Sequence, residues 1–223
     1  HAPELFENDH LLDLANEDEK YRKKSIDFLQ KTIERTMQIK DMYNSEFKPI
    51  LVVNCGGFSK ERFLSDVEKK RRYELLSKSL EDIDHSLVKF CAQTMPPFPW
   101  HFGGQQFHNL FILPQEIKEF CCDNNIYCCL DTSHTLMSAN YFGFDFFKGL
   151  EEISSVVEHI HLADAKGVDD EGVKLGFGDL DIKKFKRFSS EFLPNIPIVC
   201  ETWQGHLNNG EGFATDLTMY VGT

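Results

Sequence analysis

Alternating apolar and polar positions mark a short strand at Glu158-His159-Ile160-His161-Leu162-Ala163, which runs into Asp164-Ala165. Three other apolar runs also end on a polar head. Ile126–Leu130 leads into Asp131-Thr132-Ser133-His134, Ile196–Cys200 into Glu201, and Leu87–Ala92 into Gln93. A fifth run, Pro49–Val53, passes through Asn54 into Gly56-Gly57, a strand followed by a glycine turn. Helical spacing fills the intervals. Residues 17–43 place Tyr21, Ile26, Leu29, Ile33, Met37 and Ile39 on one broad face, and residues 60–84 turn Phe63, Val67, Leu75, Leu76 and Leu80 inward. Pro114 opens a helix as an N1 proline. Further helices are expected over 145–156, over 180–191 with Ile182, Phe185 and Phe188 on one face, and from Ala214 in the tail.

Strands alternating with helices at spacings of roughly 30 to 40 residues predict a parallel sheet. Strand ends that repeatedly carry polar heads describe the rim of a parallel β/α barrel. The expected fold is α/β, a (β/α)8 TIM barrel in a single domain over residues 1–223. His1 reads as the end of a further strand, so this chain would supply strands three to eight without the first two β/α units. Such a barrel typically needs about 250 residues, against 223 here.

Composition narrows the partners. The net charge of −12 argues against a nucleic-acid backbone, which needs clustered Lys and Arg. The acidic runs at 17–19 and 169–171 read first as solvated surface. No run of about 18 apolar residues predicts a membrane span. Seven cysteines, with adjacent pairs at 121–122 and 128–129 and no CxxC, read as reduced small hydrophobes in a cytoplasmic protein. Homo-oligomerisation is left open. The stretch Thr94–Gly104, rich in proline and aromatics, fits a packed loop or an aromatic wall over a small-molecule pocket equally well.

If consecutive strands carry them, Gln93, Asp131, His161 and Glu201 converge on the barrel axis. Two carboxylates, an imidazole and an amide oxygen suit a divalent ion such as Mn, Mg, Co or Zn rather than a soft metal. Such an ion acts as a Lewis acid toward sugar oxygens. His134, three residues past Asp131, can reach the same place. His159 shares the face of His161 and is read as structural. Asp164 either steadies His161 or caps its loop.

The segments LDTSH (130–134), HIHLADA (159–165) followed by GVKLGFGDLD (172–181), and CET (200–202) resemble the xylose-isomerase-like TIM-barrel superfamily. That group includes sugar isomerases and epimerases, inosose dehydratases and endonuclease IV. The opening HAPELFEN and LLDLAN is similar to the family's third strand end and the helix after it. The resemblance implies a metal set at Gln93, Asp131, His161 and Glu201, where the family usually has Glu at the first position. In the epimerases two glutamates exchange protons with the substrate. Gln93 can ligate but cannot take a proton, which leaves Glu201 as base with His134 or another group as its partner.

Endonuclease IV shares His1, His134 and the spacing of Asp170 to Gly176. Its companion histidine is Gly172 here, and its fourth-strand ligand is Asn54, so a three-zinc cluster is not expected. The leading expectation is a divalent-metal-dependent isomerase or epimerase, or a dehydratase, acting on a small sugar, sugar acid or polyol. A phosphodiesterase like endonuclease IV and a degenerate sugar-binding barrel are the alternatives. His1, Asn54, Trp100, Asp170, Trp203 and His206 are the expected substrate contacts; for Trp203, packing beside the strand end is an equal reading.

Overall fold

The computed structural model describes residues 1–101 and 104–222. Five parallel strands form one sheet: β1 (Ile50–Val53), β2 (Lys89–Gln93), β3 (Tyr127–Asp131), β4 (Val157–Leu162) and β5 (Ile198–Cys200). They lie side by side in chain order, β5 at one edge and β1 at the other. Beside β1, the Ala2 N–H donates to Val52 O at 2.8 Å, where the end of a further strand was expected.

Helix α1 (Glu19–Met42) precedes the sheet, and α2 (Asp66–Glu81) and α3 (Pro114–Asp123) cross from β1 to β2 and from β2 to β3. Two helices, α4 (Thr132–Phe142) and α5 (Phe146–Ile153), separate β3 from β4. Next come α6 (Ile182–Phe192) and α7 (Leu207–Gly222). Their starts follow local chemistry. Asp18 accepts from Lys20 N and Tyr21 N, Ser65 and Glu68 form a capping box on α2, and Asp145 and Asp181 cap α5 and α6. Each cap fills an N–H that has no partner inside its helix.

Strand alternation divides the sheet into two faces. Leu51, Val53, Phe90, Ala92, Cys128, Leu130, Ile160 and Leu162 point into the main core under the helices. Burying each of these larger apolar side chains stabilises the fold by about 1.5–3 kcal/mol. On the other face Val52, Cys91 and Cys129 form a small cluster with Ile50 and Tyr127. Gln93, Asp131 and His161 continue that same inner face toward the strand ends. None of the seven cysteines is paired, and five are buried. Burial pushes the Cys91 thiol up to about 12, and those of Cys128 and Cys129 well above their ordinary value.

Several expectations need correction. Residues 132–142 form a helix that starts directly on Asp131, absent from the sequence reading. The segment after Asp164 is a hairpin, Asp164–Lys166 against Asp170–Val173, rather than a plain loop. In the tail, Asn208, Asn209 and Gly210 take left-handed conformations, so regular helix begins before Ala214. The stretch from Thr94 packs on one side and borders open space on the other. Phe98 packs into an aromatic cluster with Phe63, Phe107 and Tyr141, at centroid distances of 5.4, 5.7 and 4.8 Å. Met95, Pro96, Pro99 and Trp100 face a cleft. Phe102 and Gly103 lie outside the described residues. Among the described residues no helix is long and apolar enough to cross a membrane.

Candidate active site

The strand ends bring Asp131, His161 and Glu201 together: a nitrogen or oxygen atom from each lies within 4.8 Å of the others. Asp131 and His161 are register partners on β3 and β4. His161 Nδ1 lies 2.6 Å from Glu201 Oε2 and 3.8 Å from Asp131 Oδ2. Gln93 completes the cup, its Nε2 3.2 Å from Asp131 Oδ2 and 3.3 Å from His161 Nδ1. Its Oε1 meets His1 Nε2 at 2.8 Å. Turning the Gln93 amide over exchanges nitrogen and oxygen and presents the oxygen to the cup, a choice set by hydrogen bonding alone.

Asp131 divides its two oxygens. Oδ1 accepts the His134 N–H at 3.0 Å and so caps α4, while Oδ2 faces the cup. Burial raises the Asp131 carboxyl, against the opposing pull of the His134 and His161 rings. Burial works the same way on Glu201, but there the His161 hydrogen bond and charge outweigh it and the carboxyl is lowered.

His134 is 8% exposed and both its ring nitrogens are engaged. Nδ1 meets the Thr94 carbonyl at 2.8 Å, and Nε2 meets Glu171 Oε1 at 3.0 Å. Burial alone would lower this imidazole; Asp131 and Glu171 together override it and push the ring up to about 10. Glu171 was not singled out in the sequence, where it sits inside an acidic run with no spacing of its own.

Asp164 is a loop cap. Its carboxylate accepts the N–H groups of Ala165, Gly176, Gly178 and Leu180 at 2.8 to 3.0 Å. Gly178 leaves no room for a Cβ against that carboxylate, and Gly176 needs its positive φ of 84°. A second buried carboxylate missed in the sequence, Asp216, accepts from Leu175 N and Thr202 Oγ1, tying that loop to the residue after Glu201. His159 lies below His161, ring centroids 5.1 Å apart.

The cup opens into a cleft of about 840 Å³. His1, Trp100, Asp170 and Trp203 line it, as do Asp131, His134 and Glu201. Asn54 and His206 fall outside its lining. Asn54 is buried; its Nδ2 donates to Glu4 Oε1 at 3.3 Å and its Oδ1 accepts from Gly56 N at 3.1 Å. Lys174 and Ser133 also line the cleft, unmarked in the sequence.

The model of one protein family, the xylose isomerase-like TIM barrel, matches residues 1–220. Among solved structures the chain is similar to a D-tagatose 3-epimerase-like protein, at 22% identity and a TM-score of 0.65, over 100% of this chain and 77% of that one. It is similar to D-psicose 3-epimerase from Clostridium cellulolyticum H10, at 15% identity and 0.62, over 92% and 65%. A third is the 3-keto-D-glucoside 4-epimerase from E. coli, at 13% identity and 0.68, over 95% and 75%. The chain therefore spans 65% to 77% of the length of these three proteins. At such identities the likeness is one of fold. A search of curated protein sequences finds no match.

Proposed function

Since the chain belongs to the xylose isomerase-like TIM-barrel family, we propose that it is a divalent-metal-dependent isomerase or epimerase of a small, neutral sugar. One observation carries this reading: Asp131, His161 and Glu201, distant in sequence, share a cup at the strand ends, at the base of the cleft. Two carboxylates, an imidazole and an amide fit a hard or borderline divalent cation, held by Gln93, Asp131, His161 and Glu201. When bound, it supplies Lewis-acid polarisation of a sugar carbonyl and hydroxyl. The three similar structures carry the names of sugar epimerases, which supports the same substrate class.

The chain's own groups supply the rest. Glu201 takes a proton from the carbon beside the carbonyl. Gln93 has no proton to exchange, so the partner group lies on the His134 side. Trp100 and Trp203, 74% and 76% exposed, offer ring faces to the sugar's C–H surface. Charge selects the substrate. Six carboxylates line the cleft (Glu4, Asp131, Asp169, Asp170, Glu171 and Glu201) and Lys174 stands against them. A sugar phosphate or sugar acid is repelled there, within a Debye length of about 8–10 Å. A nucleic-acid backbone is repelled more strongly, which weighs against the phosphodiesterase reading.

Elemental analysis with turnover on a panel of ketoses tests the proposal. One ion per chain with epimerised product supports it; no ion and no product point to a degenerate barrel, and three zinc ions to a nuclease. A further expectation concerns stability. Mn, Co or Zn at about 100 times its Kd should stabilise the native chain by about 2.7 kcal/mol, read as a higher Tm. Asp131→Asn keeps a competent helix cap but should lose that shift. An equal shift in both proteins would take Asp131 out of the cup.

A further inference from the structure

We infer that Glu171 is the second proton-transfer group of this site, serving the substrate face that Glu201 does not, with His134 as the residue that positions it. The inference rests on the sugar reading above.

Inverting a carbon beside a carbonyl takes a proton from one face and returns one to the other, so two groups must flank that carbon. At the strand ends Glu201 is one. Gln93, which faces the same cup, has no exchangeable proton. His134 has no nitrogen to spare: Nδ1 is held by the Thr94 carbonyl and Nε2 by Glu171. Both line the cleft, and Glu171 is the more open to it, its side chain 46% exposed against 10% for His134.

The backbone fixes Glu171 beside Glu201. Gly172 N donates to Ser133 Oγ at 3.0 Å, anchoring the hairpin to the start of α4. Gly172 O accepts from Trp203 N at 2.7 Å, joining the hairpin to the segment that carries Glu201. A Cβ at Gly172 would come to 3.6 Å from the Glu201 carbonyl and 3.2 Å from Trp203 N, so the two segments touch. Glu4, Asp169 and Asp170 share the cleft lining, but only Glu171 rests on a buried imidazole among the hydrogen bonds described.

The step balances without a redox partner. The C–H bond beside the carbonyl breaks, its proton passes to Glu201, and its electron pair forms the enediolate C=C bond. Glu171 then passes to the opposite face the proton that His134 Nε2 shares with it across their 3.0 Å hydrogen bond. The new C–H bond forms as the carbonyl is restored. In the reverse direction the two residues exchange roles.

Turnover in D2O on the ketose panel separates the roles. Wild-type protein should give epimer carrying deuterium. Glu201→Gln should give neither exchange nor epimer when started from the substrate whose hydrogen Glu201 takes. Glu171→Gln, which still accepts from His134, should keep wash-in of deuterium into that substrate while epimer formation falls at least about 100-fold. Started from the epimer, Glu171→Gln should show no exchange.

Epimer formation and exchange falling together in Glu171→Gln would make Glu171 structural only and overturn the inference, as would the exchange-without-epimer signature in Glu4→Gln in place of Glu171→Gln. Wild-type protein with neither exchange nor epimer on any ketose would remove the sugar reading and this inference with it. A wild type that turns over beside an unaffected Glu171→Gln would remove this inference alone.

Discussion

Replacing Glu201 with Gln should reduce turnover to background while leaving the fold intact. The change removes a charge from the cup and the group that takes the proton, and general acid–base catalysis alone is worth about 100- to 10,000-fold. The side chain is partly exposed and hydrogen-bonds to His161 Nδ1, so little scaffold depends on it. Its amide has the same shape and can still meet His161. The check pairs turnover on a sugar panel with urea unfolding. Unchanged activity would take Glu201 out of the chemistry; collapse of the unfolding midpoint would make it a structural residue instead.

The largest stability effect is expected at Asp164, a residue that touches no atom of the cup in the contacts described. Asp164→Ala strands four backbone N–H groups, those of Ala165, Gly176, Gly178 and Leu180. Each unsatisfied buried donor costs about 1–3 kcal/mol. Water entering the vacated space recovers part of that, so the expected loss is at least about 3 kcal/mol. That is a large share of the 5–15 kcal/mol that holds a typical domain together. Urea unfolding measures it, and a loss under about 1 kcal/mol would mean the loop is held by something else. Activity should fall as well, because the capped loop follows directly on the hairpin that carries Glu171.

Sequence patterning reached the sheet and most of the cup for one reason. Strand alternation is a strong signal, and a polar head at the end of an apolar run stands out against it. Asp131, His161 and Glu201 were legible in that way, and Gln93 with them. Helix α4 was not, because every residue from Thr132 to Ala139 is buried. A helix covered on all sides has no apolar stripe to reveal its period. The pairing of Trp100–His101 with Gly104–Gln105 and the hairpin at 164–173 were hidden by their two- to four-residue strands, too short to show alternation. Glu171 was masked by its acidic neighbours. Asp164 carried two readings because a carboxylate after a strand can serve either a ligand or a loop; only the positions of Gly176 and Gly178, folded back onto it, decide between them. Asn54 sits at a strand end like the others, yet it stays behind the cleft lining, its amide donating to Glu4, which does line it.

The unpaired cysteines make the chain its own reporter of unfolding. Cys122 is exposed and Cys200 partly so, while Cys55, Cys91, Cys121, Cys128 and Cys129 are sealed inside, with thiols that burial keeps protonated. An alkylating reagent should therefore label the native protein first at Cys122 and reach the sealed five only as the sheet opens. The stoichiometry of labelling over time then counts opening events directly, without an added dye or tag, and fast labelling of all seven under native conditions would contradict the sealed interior.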